Sequence, residues 1–292
     1  MSKSSKKGLP KYVVLQKKRG ETPLELLQKW KSARTSEYPE ILEMPLSYAG
    51  RLDPMAEGKM LVLIGDECKK QAAYTKLDKE YDIEIVLDLK TDTGDVLGLA
   101  EYEGKETKVD RRAVAKATAR ELGPHSRKYP AFSSKTVNGK PLFLYSLENT
   151  LSSITIPEHI ETMYKISLLD AREVSTHELE KSIFDSLAVV PRSDEPSKEL
   201  GADFRQDAVR AKWREIFSKF PASAQGTHSP SPMRNFTILR FRVTCGSGAY
   251  MRTLAERIGN SLGTTALALS INRTKIGKYT KFGSTGFWST KY

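Results

Sequence analysis

The run EYDIEIVL, residues 80–87, places Tyr81, Ile83, Ile85 and Leu87 at every second position, with acids between most of them. That period belongs to a strand with one face buried and one face wet. NFTILRFRVTC, residues 235–245, alternates in a similar way through Phe236, Ile238, Phe241 and Val243. Two half-buried strands so far apart in the chain call for a sheet with a covered face, so the segments between them must supply the cover.

Those segments are mixed without order. KYVVLQKKRG reads as a strand ending in a basic turn, MLVLIG (60–65) as a short buried strand, and MYKISLLDAREV as another strand. TPLELLQKWKSAR reads as a helix. Thr22 caps it, Pro23 suits its first turn, Glu25 completes a capping box, and Leu27, Trp30 and Ala33 form its apolar stripe. RRAVAKATAREL predicts a basic helix closed by Gly123-Pro124. YPAFSSKTVNGKPLFLYSL predicts an extended segment that turns at Asn138-Gly139. AYMRTLAERIGNSLG predicts a helix closed by Gly263. There is no internal repeat and no regular βαβ alternation, which favours an α+β fold over a doubly wound sheet.

Between residues 176 and 235 the character changes. Two helix-like runs, ELEKSIFDSLAVV and DAVRAKWREIFSKF, are each followed by a polar loop, the second being the Pro/Ser-rich ASAQGTHSPSP. This region is expected to be a helical insertion in a single domain of 292 residues. It serves either RNA contact or structural elaboration.

Composition narrows the function. The net charge is +11. An excess of cations on one domain points to a polyanion, because neutralising phosphates releases their counterions. Cys68 and Cys245 lack CxxC spacing, and the four histidines form no H-E-x-x-H. A disulfide framework and a thiolate zinc site are therefore not expected, nor is a tightly held metal. The basic, Ser-rich start has no apolar signal core, and no run approaches the ~20 apolar residues of a membrane span. The expected setting is the cytoplasm.

Two stretches carry chemistry. In YAGRLDPMAEGKMLVLIGD, Pro54 pushes Asp53 toward an extended backbone, and the strand that follows anchors the loop from behind. A carboxylate mounted in this way suits a nucleophile or a base, and a nearby guanidinium would keep it ionised. In CGSGAYMRTLAERIG, Gly246 and Gly248 permit a tight strand-to-helix turn, placing Tyr250 and Arg252 at the helix start. A cation there opposes the helix dipole by ~0.3–1 kcal/mol, which a nearby anion such as Asp53 or a phosphate would offset. Asp88, Asp92 and Asp95 do not fit a calcium loop, and GSGAYM lacks the third glycine of a dinucleotide fingerprint.

Taken together, four blocks in order resemble the TruB family of tRNA pseudouridine synthases. AGRLDPMAEGKMLVLIGDECKK resembles the family's G-x-L-D-P-x-A-x-G block. DKEYDIEIVLDLKTDTGDVLG resembles K-x-Y followed by T-D-T-x-D-x-x-G. VTCGSGAYMRTLAERIGNSLG resembles V-x-C-x-x-G-x-Y-I-R-x-L, and SINRTKIGKY resembles L-R-R-T-x-x-G. The resemblance covers most of the chain outside 176–235. It implies a pseudouridine synthase fold, with a large mixed, mainly antiparallel sheet flanked by helices and loops. It also implies a lone enzyme, without cofactor, that flips uridine 55 out of the tRNA T-loop and isomerises it.

Residue by residue, the resemblance makes Asp53 the catalytic aspartate and Arg252 its pairing arginine. Tyr81 becomes the tyrosine that stacks on the target uracil, Tyr250 an active-site tyrosine and Ile271 a pocket residue where the family has leucine. Departures are visible. Tyr48 stands where the family often has a histidine that helps hold the flipped base, and it offers an aromatic face and a hydroxyl for substrate binding there. Lys17-Lys18 replaces K-P, Phe132 replaces a tyrosine, and Asn272 replaces one arginine of R-R. Arg51 stands where a small residue is usual, so two arginines, Arg51 and Arg252, are in reach of Asp53. About twenty residues follow Ile271, too few for the RNA-binding PUA domain that guide-RNA-dependent relatives usually carry. A non-catalytic RNA-binding or RNA-folding protein on the same scaffold is the reading from another class.

Overall fold

The computed structural model describes residues 9–190, 205–220, 234–283 and 285–292. The basic start and most of both loops of the 176–235 region, ASAQGTHSPSP included, lie outside them. In chain order the elements are β1 (Tyr12–Lys17), α1 (Pro23–Arg34), β2 (Leu46–Tyr48), β3 (Glu57–Ile64), α2 (Gln71–Thr75), β4 (Asp78–Leu87), β5 (Leu89–Thr91), β6 (Ala100–Tyr102), α3 (Arg111–Ala119) and β7 (Gly123–Lys128). There follow β8 (Thr136–Val137), β9 (Lys140–Pro141), α4 (Leu142–Leu147), β10 (Glu158–Ser175), α5 (Thr176–Ala188), α6 (Gln206–Ser218), β11 (Asn235–Cys245), α7 (Met251–Ser261), β12 (Ala266–Phe282) and β13 (Thr285–Lys291).

The main sheet runs β1-β3-β12-β4-β11-β10-β7, with β13 on β12 and β2 on β3. Its pairs are antiparallel except β3 with β12, so the sheet is mixed and mainly antiparallel in an α+β fold. β4 lies near the middle between β12 and β11, and its Ile83, Ile85 and Leu87 are fully buried. The alternation that opened the sequence reading is thus a central strand facing the core.

Helices close over that face. Ile183 of α5, Trp213 of α6 and Ile258 of α7 are fully buried and share one apolar cluster with Ile83, Ile85 and Phe241. Each such side chain contributes about 1.5–3 kcal/mol by leaving water. Capping fixes where two of the helices begin. Thr22 and Glu25 close a capping box on α1, and Ser175 and Glu178 close one on α5. The apolar stripe of α1 is shorter than expected: Leu27 is buried, but Ala33 faces solvent.

Two local expectations change. Gly123-Pro124 does not cap α3, which ends at Ala119; it opens β7. β7 is an edge strand, where the missing N–H of Pro124 leaves no ladder partner stranded. Asn138-Gly139 does turn a two-residue hairpin, β8–β9, but LFLYSL beyond it is helix α4. Its Leu142 and Tyr145, three residues apart, are buried on one helical side.

Candidate active site

Asp53 sits in the turn before β3, where the Ala56 N–H donates to the Asp53 carbonyl at 3.0 Å. The turn is tied down from β1. The Lys17 ammonium is fully buried and donates to the carbonyls of Ala56 at 2.6 Å and Lys18 at 3.1 Å. The Gly20 N–H donates to the Pro54 carbonyl at 2.8 Å. Burial lowers the Lys17 pKa to about 8, although Glu21, Asp53 and Glu57 pull it upward. The stiffness expected from Pro54 and β3 is therefore reinforced by a buried cation from another strand.

Arg252 is the second residue of α7 and is 4% exposed. Its Nε donates to Asp53 Oδ2 at 2.9 Å, Nη1 to the Thr93 carbonyl at 2.6 Å, and Nη2 to the Phe132 carbonyl at 2.8 Å. Asp95 Oδ2 stands 3.7 Å from the same Nε. Burial works against the guanidinium charge, yet Asp53 and Asp95 hold its pKa above the ordinary value. The two carboxylates also offset the cost of a cation at a helix start.

The carboxylates differ. The Asp53 side chain is 42% exposed, whereas that of Asp95 is 5% exposed. Asp95 Oδ1 accepts from Thr93 Oγ1 at 2.8 Å and from the Leu97 N–H at 2.9 Å. Burial pushes its carboxyl up, and Asp53 adds to that against the pull of Arg252. One carboxylate is thus open to a ligand and the other is a buried prop. Gly94 between Thr93 and Asp95 lets this loop approach α7: its φ is +75°, and a Cβ there would meet Glu256 Oε1 at 2.5 Å.

Asp53 opens into a cleft of about 970 Å³ that Tyr81, Tyr250, Arg252, Ile271 and Arg51 also line. Tyr81 comes from β4 and is 8% exposed; burial raises its hydroxyl pKa, while the nearby Arg273 guanidinium opposes the rise. Tyr250 stands at the N-cap position of α7 without a side-chain capping bond, and burial raises its hydroxyl too. Ile271 comes from β12. So the structure brings Asp53, Tyr81, Tyr250, Arg252 and Ile271 together from four separate parts of the chain.

The other two expected residues sit differently. Arg51 lines the cleft, but its guanidinium donates to Ser134 Oγ at 2.8 Å, and its pairing partner is not Asp53. Tyr48 lies on β2 opposite Val62, half-buried against the core and outside the cleft lining.

Sequence reasoning gave no role to three buried groups here. Arg273 is 1% exposed and donates to the carbonyls of Lys59 and Gly50, which fastens β12 to the Asp53 loop. Lys79 lines the cleft and donates to the carbonyls of Thr75 and Leu77; burial, with Arg273 nearby, lowers its pKa to about 8. Asp95 is the third. Their signal was present in the K-x-Y, T-D-T-x-D and R-R blocks, but only contact shows what they hold. The 176–235 region also reaches the cleft. Arg205 pairs with Asp92 at 2.7 Å and lies 4.8 Å over the Phe132 ring.

Residues 44–183 match the family model for the N-terminal domain of TruB family pseudouridylate synthases. The tRNA pseudouridine synthase B of Deinococcus radiodurans is 27% identical over 236 residues, 80% of this chain and 65% of its own length. That of Bacillus cereus is 25% identical over 238 residues, 81% of this chain and 58% of its own. The chain therefore spans less than two-thirds of the length of these relatives. A crystal structure of a Cbf5–Nop10–Gar1 complex matches with a TM-score of 0.50 at 16% identity, covering 91% of this chain and 48% of that one. This last likeness is one of fold.

Proposed function

We propose that this chain, whose residues 44–183 match the TruB family model, is a pseudouridylate synthase of that family and isomerises uridine 55 in the T-loop of tRNA to pseudouridine. The observation that carries the reading is the Asp53–Arg252 pair at 2.9 Å: an accessible carboxylate held by a buried cation at the wall of a large cleft. A buried guanidinium with three fixed acceptors cannot swing away, so the carboxylate oxygen meets its substrate already oriented.

In this reaction the N1–C1′ bond breaks, the uracil turns, and C5 bonds to C1′. C5 loses a proton and N1 gains one, so no atom is added and no electron is transferred. A base within a folded loop must first be extruded, and stacking on Tyr81 offsets part of that at ~1–3 kcal/mol per base. The Tyr81 hydroxyl, pushed up by burial, is neutral at pH 7 and offers its ring face. Asp53 acts at the ribose, as nucleophile or as base, and either route needs the ionised oxygen that Arg252 faces. Ile271 and Tyr250 bound the space in which the uracil turns. Surface lysines and arginines position the RNA through its phosphates. On this reading the protein acts as a monomer in the cytoplasm, and residues 176–235 are an insertion within one catalytic domain.

The test is pseudouridine formation on an unmodified tRNA transcript and on its isolated T-arm, comparing wild type with Asp53→Asn. Product at the T-loop uridine with wild type and none with the variant supports the reading. Tight RNA binding without product from either protein would favour the binding-only alternative; product at another uridine would change the substrate.

A further inference from the structure

Residues 266–292 contain Arg273, Lys275, Lys278, Lys281 and Lys291 and not one Asp or Glu. Arg273 is spent on buried carbonyls, and Lys275 pairs with Glu80 at 2.7 Å. Lys278, Lys281 and Lys291 are exposed, and none of them pairs with a carboxylate among the described residues. All three lie on the β12–β13 ribbon.

The two faces of that ribbon differ. On one, Tyr279 stands opposite Trp288 with ring centroids 5.3 Å apart; Tyr164 lies 5.5 Å from Tyr279, and Lys275 lies 5.8 Å over Trp288. That face is packed and fixes the ribbon to the body. On the other, Phe287 stands opposite Thr280 and Phe282 opposite Thr285. Strand alternation puts Phe282 and Phe287 on the same side, and they are 75% and 53% exposed. By the same alternation Lys278 lies on the side of the two rings, while Lys281 and Lys291 fall on the Tyr279 side and are themselves exposed. The ribbon thus presents exposed rings and unpaired lysines that nothing among the described residues covers.

We propose that the β12–β13 ribbon is a second RNA-contact surface. Lys278, Lys281 and Lys291 meet phosphates, and Phe282 and Phe287 stack unpaired bases. The inference rests on the reading of an RNA substrate given above and extends it to a part of that RNA away from the reacting uridine. Three features select RNA. The charge is complementary to a polyanion. Every base offers a face to an aromatic ring, whatever the sequence. And the ribbon continues the cleft: β12 carries Ile271 at the cleft and reaches Phe282 about 35 Å further along the strand. A second copy of the chain fits worse, because a two-fold contact here would bring each lysine cluster near its own copy.

The experiment compares wild type, Phe282→Ala/Phe287→Ala and Lys278→Gln/Lys281→Gln on a full tRNA transcript and on the T-arm stem-loop. Dissociation constants are measured across a salt series, with initial rates and sedimentation alongside. The phenylalanine variant is expected to bind the full transcript roughly tenfold more weakly. KM should rise with kcat unchanged, and binding of the short stem-loop should be nearly unaffected. The lysine variant is expected to flatten the slope of log K against log salt by about 1.5. Wild-type product together with unchanged affinity in both variants would overturn the inference and leave the proposed activity standing. No product from any protein, with affinity still lost in the variants, would sink the activity and keep the surface. A change of oligomeric state in place of RNA affinity would assign the ribbon to a second copy.

Discussion

The Arg252 anchor beneath the Asp53 cleft and the layer of α5 and α6 are both buried, and they are held together by opposite means. In the cleft, Arg252 is fixed by hydrogen bonds to Asp53 and two carbonyls, with the Asp95 carboxyl 3.7 Å away. In the helical layer, Ile183, Leu187, Val209, Trp213 and Ile216 are fixed by apolar contact, with Trp213 Nε1 donating to the Val96 carbonyl at 3.0 Å as a polar tie. Apolar contact tolerates small shifts of a helix, since it is non-directional. Charged hydrogen bonds do not, since each needs its angle and distance. The cleft therefore spends stability on geometry, while the helical layer supplies stability with little demand on geometry. The tie from Trp213 to Val96 joins them, because Val96 follows Asp95.

The largest expected effect lies on the cleft side. Arg252→Lys keeps a cation but cannot supply three fixed donors. Its rate of pseudouridine formation should fall on the order of 10²–10³-fold, while substrate affinity changes little. A loss under tenfold would mean that charge alone suffices and that the contrast is overstated. On the other side, Trp213→Ala should destabilise by about 3–5 kcal/mol in chemical denaturation. The protein that remains folded should keep its turnover. If turnover of the folded fraction drops as well, the helical layer is holding the Thr93–Leu97 loop through Val96, and the two regions are one device.

A third expectation concerns pH. Lys17 and Lys79 have folded-state pKa values lowered to about 8 from about 10.5. Between those values the unfolded chain binds more protons than the folded one, so stability rises with pH. Below about pH 8 both ammonium groups are charged in both states and their burial cost is present in full. Cys245, Tyr74 and Tyr164 act in the opposite sense. Their folded pKa values are pushed up to about 12, so the unfolded chain ionises first and stability falls at higher pH. Denaturation midpoints should therefore rise from about pH 8 toward about pH 10 and then turn down. Lys79→Met should flatten the rise, and an unchanged slope would show that the Lys79 ammonium titrates as it does in water.

The smallest effect is expected at Arg51. Its visible bond goes to Ser134 on an exposed part of the cleft rim. Arg51→Ala should lower the rate by less than about tenfold, in line with one exposed hydrogen bond. A loss equal to that of Arg252→Lys would show that Arg51 turns to Asp53 when RNA binds.

Much of this molecule was legible in the chain. The period of two gave β4 and β11, and the Thr22/Glu25 spacing gave the start of α1. The Asp-Pro turn and the glycine-rich turn before Arg252 marked both halves of the ion pair. These signals are local: periodicity, capping and backbone restriction act within a few residues. α4 was missed because LFLYSL is short and apolar, a pattern that strand and helix share. The role of Gly123-Pro124 was missed because a helix stop and an edge-strand start look alike until the sheet order is known.

The sequence by itself marked β4, β11 and the start of α1, showed that the chain is cationic, and put Asp53, Tyr81, Tyr250, Arg252 and Ile271 in blocks that resemble those of the TruB family. Tertiary structure alone decided what meets what. It set Arg252 on Asp53 from 199 positions away, gave Asp95 a buried place beside it, turned Arg51 to Ser134 and left Tyr48 outside the cleft. The physical reason is range. Backbone preferences are written in neighbouring residues, whereas desolvation and ion pairing depend on distances that exist only once the sheet has closed.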